Sequence, residues 1–160
     1  MSAIPLLVWI ALCALQDLRQ RRISNWLSLG GVAIALLYLA LRGESLLGAP
    51  PAAALGAAAL ALVLTLPGWW LGKLGAADVK LLLGIALCSQ GDFLLHSLLG
   101  ACLAYLAWAL LSRPLWPKLA EPTRRFLAQL SPERARRYPF APFLLIGCLT
   151  AVFAGQTAWR

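Results

Sequence analysis

Two aspartates stand where the neighbouring residues offer little water. Asp17 closes the apolar run Met1 to Gln16, and Asp78 lies just inside the apolar run Leu74 to Ser89. A charged side chain within a membrane segment costs roughly 2.5–3.5 kcal/mol on insertion scales, so an acid there calls for a partner or a task. Two carboxylates held a few ångström apart cannot both ionise cheaply, and one keeps a proton while the other stays anionic. Such a pair is an acid and a base at once. The anionic member can deprotonate a water attacking a peptide carbonyl, while the protonated member polarises that carbonyl and then protonates the leaving amine. This chemistry uses carboxylates and water, with no metal and no cofactor. Reagents directed at thiols, serines or metals are therefore expected to leave it intact. Each acid also has a plainer reading. Asp17 precedes Arg19, Arg21 and Arg22 and could belong to an interfacial charge cluster, and Asp78 could simply cap a helix start. Lys80, two residues past Asp78, supplies a nearby cation and is a weaker site candidate.

The elements that must position these acids are membrane helices. Of the 160 residues 61% are apolar and only 12% charged, with a mean hydropathy of +0.78. A soluble domain carries about a quarter charged residues. The expected class is an all-α integral membrane protein with six transmembrane helices, forming one domain over residues 1–160. The runs are Met1 to Gln16, Trp26 to Leu41, Pro51 to Leu71, Leu74 to Ser89, Phe93 to Ser112 and Pro139 to Trp159. Pro67-Gly68 suggests a kink late in the third. A secretory signal peptide carries its basic residues before the apolar run, whereas here they follow it, so the first run reads as a retained helix.

Charge sets the orientation. If the N-terminus lies outside, the connectors after spans one, three and five share a side. They carry Arg19, Arg21, Arg22, Lys73, Lys80, Arg113, Lys118, Arg124, Arg125, Arg134, Arg136 and Arg137, twelve of the fourteen Lys and Arg. Arg42 and Arg160 remain opposite. The positive-inside rule makes the crowded side cytoplasmic, giving N-out/C-out topology with one basic cytoplasmic loop, Arg113 to Arg137, between spans five and six. The net charge of +8 is thereby explained by the lipid bilayer rather than by nucleic acid. The same parity puts Asp17 and Asp78 in one leaflet at similar depth. A run of 16 residues spans about 24 Å, short of the roughly 30 Å hydrocarbon core. Thinning of the bilayer around such short helices would bring water to both acids.

Three stretches carry a resemblance to the type IV prepilin peptidases, in particular the short Flp or Tad type. Asp17 followed by a basic stretch and Ile23-Ser24-Asn25 resembles an Asp, basic residues and Ile-Pro-Asn. Gly75-Ala76-Ala77-Asp78-Val79-Lys80-Leu81 is similar to Gly-x-Gly-Asp-x-Lys-Leu. Pro139-Phe140-Ala141-Pro142-Phe143-Leu144 resembles Pro-Phe-Gly-Pro-Phe-Leu. The resemblance implies an aspartic endopeptidase of the bacterial inner membrane. Such an enzyme removes the leader of prepilin or pseudopilin precursors, cutting after a Gly at the cytoplasmic end of a hydrophobic helix. Asp17 and Asp78 match the catalytic pair, and Gly75, Ala77, Lys80, Asn25, Pro139, Phe140 and Pro142 are candidates for shaping the site. Ala77 and Ala141 stand for family glycines and Ser24 for a proline. Each added methyl could tighten the substrate groove or be absorbed by a small shift. Longer family members carry paired Cys motifs in a cytoplasmic domain with N-methyltransferase activity, and the four Cys here form no such pair.

Other residues read as structural. Cys13, Cys88, Cys102 and Cys148 fall singly in four runs and suit apolar packing. Asp92 reads as an exposed loop acid and His96 as interfacial. Gly30, Gly31, Gly56 and the alanines of span three suit close helix packing. Trp26, Trp69, Trp70, Trp116 and Trp159 suit interfacial belts. Two rival functions use the same residues. A small proton-coupled transporter subunit would want its acids near the midplane and a repeat between its halves. A noncatalytic pilus-assembly protein would tolerate loss of either acid.

Overall fold

The computed structural model describes residues 3–132 and 138–158. Arg134, Arg136, Arg137, Trp159 and Arg160, which entered the charge and belt expectations, lie outside the described residues. The architecture is all-helical. Long helices form at each of the six apolar runs: α1 (Ile4–Gln20), α2 (Asn25–Arg42), α3 (Pro51–Trp70), α4 (Ala76–Cys88), α5 (Gly91–Leu115) and α7 (Ala141–Ala158), with the short α6 (Glu121–Phe126) between the last two. Local chemistry explains their limits. Ser24 caps α2 by accepting from the Leu27 amide at 3.3 Å, and Gly43 ends it with φ 68°, its N–H bonded to the Leu39 carbonyl. Ser24 thus supplies a cap that a proline there would lack. Pro51 opens α3 from the first turn, where a missing N–H costs nothing.

Small residues bring the helices together. Ala54, Ala57, Ala58 and Ala61 bury one face of α3, while Leu55, Val63, Leu64 and Leu66 of the same helix are exposed. An apolar exterior around a small-residue interior suits lipid outside and close van der Waals packing within. The closest backbone approach joins α5 to α7: a Cβ at Gly147 would lie 1.9 Å from the Ser97 carbonyl oxygen. Gly31 and Gly84 face the Trp9 indole, which inserts between α2 and α4 and donates to the Leu27 carbonyl at 2.9 Å. Gly30 and Gly56 have open space around them and play no such part. The packing glycines are therefore Gly31, Gly84, Gly100 and Gly147, a set that counting glycines along the runs identified only at Gly31. Helix α4 lies deep in the bundle, with Leu81, Leu82, Ile85, Ala86 and Leu87 buried between α2 and α3.

The connectors gather at two ends. Around one cleft come the end of α1, the connection from α3 to α4 and the lead-in to α7. A second cavity is ringed by the start of α1, the turn from α2 to α3, the turn from α4 to α5 and the far half of α7. There the Leu47 amide donates to the Cys88 carbonyl at 2.9 Å, joining the two turns.

Among the described residues three helices, α2, α3 and α5 with its following turn, are long and apolar enough to cross a membrane, consistent with an integral membrane protein. Helix α4, at 13 residues, is only about 20 Å long. The polar stretch differs from the sequence expectation in two ways. Helix α5 continues past Arg113 and through Pro114 to Leu115, so the polar stretch begins within a helix. That stretch is also not wholly solvated: Leu130 is buried, and its carbonyl accepts from the Trp108 indole at 3.1 Å. Trp26 and Trp70 point outward, 92% and 88% exposed, as belt residues should.

Candidate active site

Asp17 occupies the last turn of α1, which stops immediately beyond it. Arg21 takes a left-handed conformation (φ 51°), and its amide bonds the Asp17 carbonyl at 2.8 Å. The chain then turns sharply, secured by the Ser24 N–H donating to Gln16 Oε1 at 3.0 Å. Asp17 itself is buried, 7% exposed, and its Oδ2 accepts the backbone N–H of Ala141 at 3.2 Å. Asp78 sits in the first turn of α4, where its Oδ2 accepts the Gly75 N–H at 3.3 Å. The capping reading of Asp78 is therefore correct as geometry and compatible with any further role. Gly75 has an ordinary φ of −76°, so no unusual dihedral requires glycine there. Space does: a Cβ at this position would lie 3.0 Å from the Asp78 Oδ2.

Both carboxylates line one cleft of about 450 Å³ and are close enough for their charges to interact. Gly75, Ala77, Pro139 and Phe140 line it as well. Asn25, Lys80 and Pro142 do not. Instead the Lys80 ammonium donates to the Asn25 Oδ1 at 2.7 Å, tying α4 to the start of α2. Ala77 lies in regular helix within α4 and Ala141 at the first position of α7, so neither methyl strains the backbone. Among the described residues, no three His, Cys, Asp or Glu side chains come together as metal ligands.

Several lining residues were not among the site candidates. Arg21, Arg22 and Lys73 bring cations to the cleft, and Tyr105, Tyr138 and Cys102 form part of its wall. Tyr105 stacks edge-on against Tyr138 and Phe143, with centroids 5.8 and 5.2 Å apart. The available signal was weak, a lone tyrosine inside an apolar run and another just before Pro139. Cys102 corrects an expectation. Cys13, Cys88 and Cys148 are buried as packing residues, but Cys102 is exposed and borders the acids. Asp92 is exposed as expected, in the first turn of α5 rather than in a loop, and His96 bonds its carbonyl.

The sequence profile of the Type IV leader peptidase family matches residues 4–110. The chain belongs to that family. Membership implies an aspartic peptidase and prepilin substrates, and the matched segment contains both Asp17 and Asp78. The Pro139 to Leu144 stretch falls beyond it and is joined to the site by the Ala141 to Asp17 hydrogen bond. No curated protein and no solved structure gave a significant match.

Proposed function

We propose that Asp17 and Asp78 are the catalytic pair of a membrane-embedded leader peptidase that cleaves prepilin-type precursors at the cytoplasmic face of the bacterial inner membrane. The observation that carries this reading is the convergence of the two acids, from the end of α1 and the start of α4, on one cleft. One proton is shared between them. The anionic carboxylate takes a proton from water as its oxygen bonds to the scissile carbonyl carbon; the other carboxyl donates to the carbonyl oxygen. Collapse of the tetrahedral intermediate breaks the C–N bond, and the amine leaves with a proton from the pair. The reading includes six spanning helices with the N-terminus outside, supported by a sequence in which twelve of the fourteen Lys and Arg fall on one side of the six-run pattern. Tyr105, Tyr138 and Phe140 give the cleft an aromatic wall against which the first turn of a hydrophobic substrate helix would rest. Both acids belong to terminal turns at one end of the bundle, which favours hydrolysis at an interface over proton relay through the midplane.

The deciding experiment coexpresses a Flp-type pilin precursor with the protein and follows the leader-sized shift on a gel. Wild type should clear the precursor. Asp17→Asn and Asp78→Asn should each lose at least about a hundredfold in rate, the usual scale for a lost acid or base. Cleavage by either variant within about tenfold of wild type, a barrier change of only about 1.4 kcal/mol, would remove that residue from the pair.

A further inference from the structure

The Asp17 carboxylate meets main chain. Its Oδ2 accepts the Ala141 N–H, in a contact where Asp17 is 7% exposed and Ala141 fully buried. The Phe140 backbone N–H lies near the same carboxylate. Helix α7 explains why an amide is available there. A helix start leaves its first N–H groups without intrahelical acceptors. In α7 the Phe143 and Leu144 amides already bond the Phe140 carbonyl, both at 3.1 Å, and Pro142 has no N–H. The Ala141 N–H is left, buried, in need of an acceptor from elsewhere in the chain. Asp17 supplies that acceptor across 124 positions of sequence.

We propose that Pro139-Phe140-Ala141 is an amide clamp that orients the Asp17 carboxylate for catalysis, with Ala141 a positioning residue acting through its N–H. The clamp rests on the functional reading above. It assigns the proline-rich lead-in a task that its side chains do not perform. Proline at 142 silences a competing donor, and proline at 139 restricts the turn before the helix. It also accounts for alanine in place of the family glycine at 141, because both residues carry the same N–H.

The test uses the full-length protein in detergent and a synthetic precursor peptide, a short leader ending in Gly followed by a hydrophobic helix. Ala141→Pro deletes the N–H at a first helical position, where proline is otherwise well accepted. It should lower kcat on the order of 10- to 100-fold, with KM within about twofold of wild type, as expected for a lost charge-assisted hydrogen bond that acts only on the reacting group. Ala141→Gly, which restores the N–H, should recover most of kcat. Wild-type kcat in Ala141→Pro would overturn the clamp.

A second measurement covers the case in which the added ring disturbs the buried lead-in. With the native backbone and 15N-alanine labelling, the Ala141 amide resonance should titrate with pH, and the titration should vanish in Asp17→Asn. It should persist in Asp78→Asn, the other acid of the cleft, and in Cys13→Ser, the thiol nearest Asp17 on α1, with Arg21, the cation beside Asp17, left in place in every variant. An Ala141 resonance indifferent to Asp17→Asn would overturn the proposal. If Asp17→Asn still cleaves the peptide at the wild-type rate, the catalytic reading fails while the resonance continues to decide the clamp.

Discussion

Gly84→Ala should damage the protein although it adds one methyl group outside the cleft that both acids line. A Cβ built at Gly84 lies 2.4 Å from the Trp9 ring, and one built at Gly31 lies 2.2 Å from the same indole. Carbon atoms settle about 3.5–4.0 Å apart, so the ring must withdraw by roughly 1 Å or more. Gly31 blocks retreat on the α2 side, and a displacement of that size breaks the 2.9 Å bond from the indole N–H to the Leu27 carbonyl. Overpacking costs about 1–3 kcal/mol and the lost hydrogen bond about 1 kcal/mol more. The expected loss of stability is therefore about 2–4 kcal/mol, a fall in melting temperature on the order of 5–10 °C. Activity should fall further than stability. Trp9 belongs to the helix that carries Asp17 and Gly84 to the helix that carries Asp78, and a misplacement of about 1 Å between reacting groups can cost about a hundredfold in rate. The assay pairs a thermal scan in detergent with precursor cleavage below the transition. Trp9→Leu is the partner variant: in its background Gly84→Ala should add less than about 1 kcal/mol, because the wedge is gone, and the cycle should show coupling of at least about 1 kcal/mol. Equal effects of Gly84→Ala in both backgrounds would refute the wedge.

The other expectations follow from the same geometry. The double variant Asp17→Asn with Asp78→Asn should be hardly slower than either single variant, since groups acting as a unit are non-additive, and Asp92→Asn, on the exposed first turn of α5, should cleave at the wild-type rate. The exposed Cys102 in the cleft reverses the expectation of insensitivity to thiol reagents: N-ethylmaleimide should block cleavage by occupying the cleft, and Cys102→Ala should render the protein insensitive; inhibition that survives this substitution would place the reactive thiol elsewhere. Single cysteines introduced near Gly43 or Gln90 should react with an impermeant maleimide from outside the cell and those near Arg124 should not, with labelling at Arg124 overturning the orientation.

What the sequence made legible is what depends on composition and short-range order. Six helices form at six apolar runs because hydropathy and local caps are written in neighbouring residues, as with Ser24 before α2 and Gly43 after it. The pairing of Asp17 with Asp78 was legible only as a permission, from equal depth and shared side. Contact between their helices is decided by Trp9, Gly31 and Gly84, three residues whose significance lies in shape. An indole in an apolar run reads as bulk, and its slot appears only when the glycines opposite are known. Cys102 was misread for the same reason: a thiol among leucines signals packing, and the cleft beside it is a property of the assembled bundle.

The three matching stretches differ in how they act, and this explains why side-chain reasoning read them unevenly. Asp17 and Asp78 contribute carboxylates, so their type suggested the chemistry proposed for them. Gly75 contributes the absence of a side chain, leaving room for the Asp78 carboxylate that bonds its amide. Asn25 and Lys80 contribute a brace between α2 and α4, away from the cleft they were expected to line. Ala141 contributes an N–H that any residue but proline possesses. A substitution is conservative at such places when it preserves the main-chain donor or the empty volume, not when it preserves polarity. Ala141→Gly is mild and Ala141→Pro severe on that ground, and Gly75→Ala should be harsher than Ala77→Gly although each exchanges the same single methyl group.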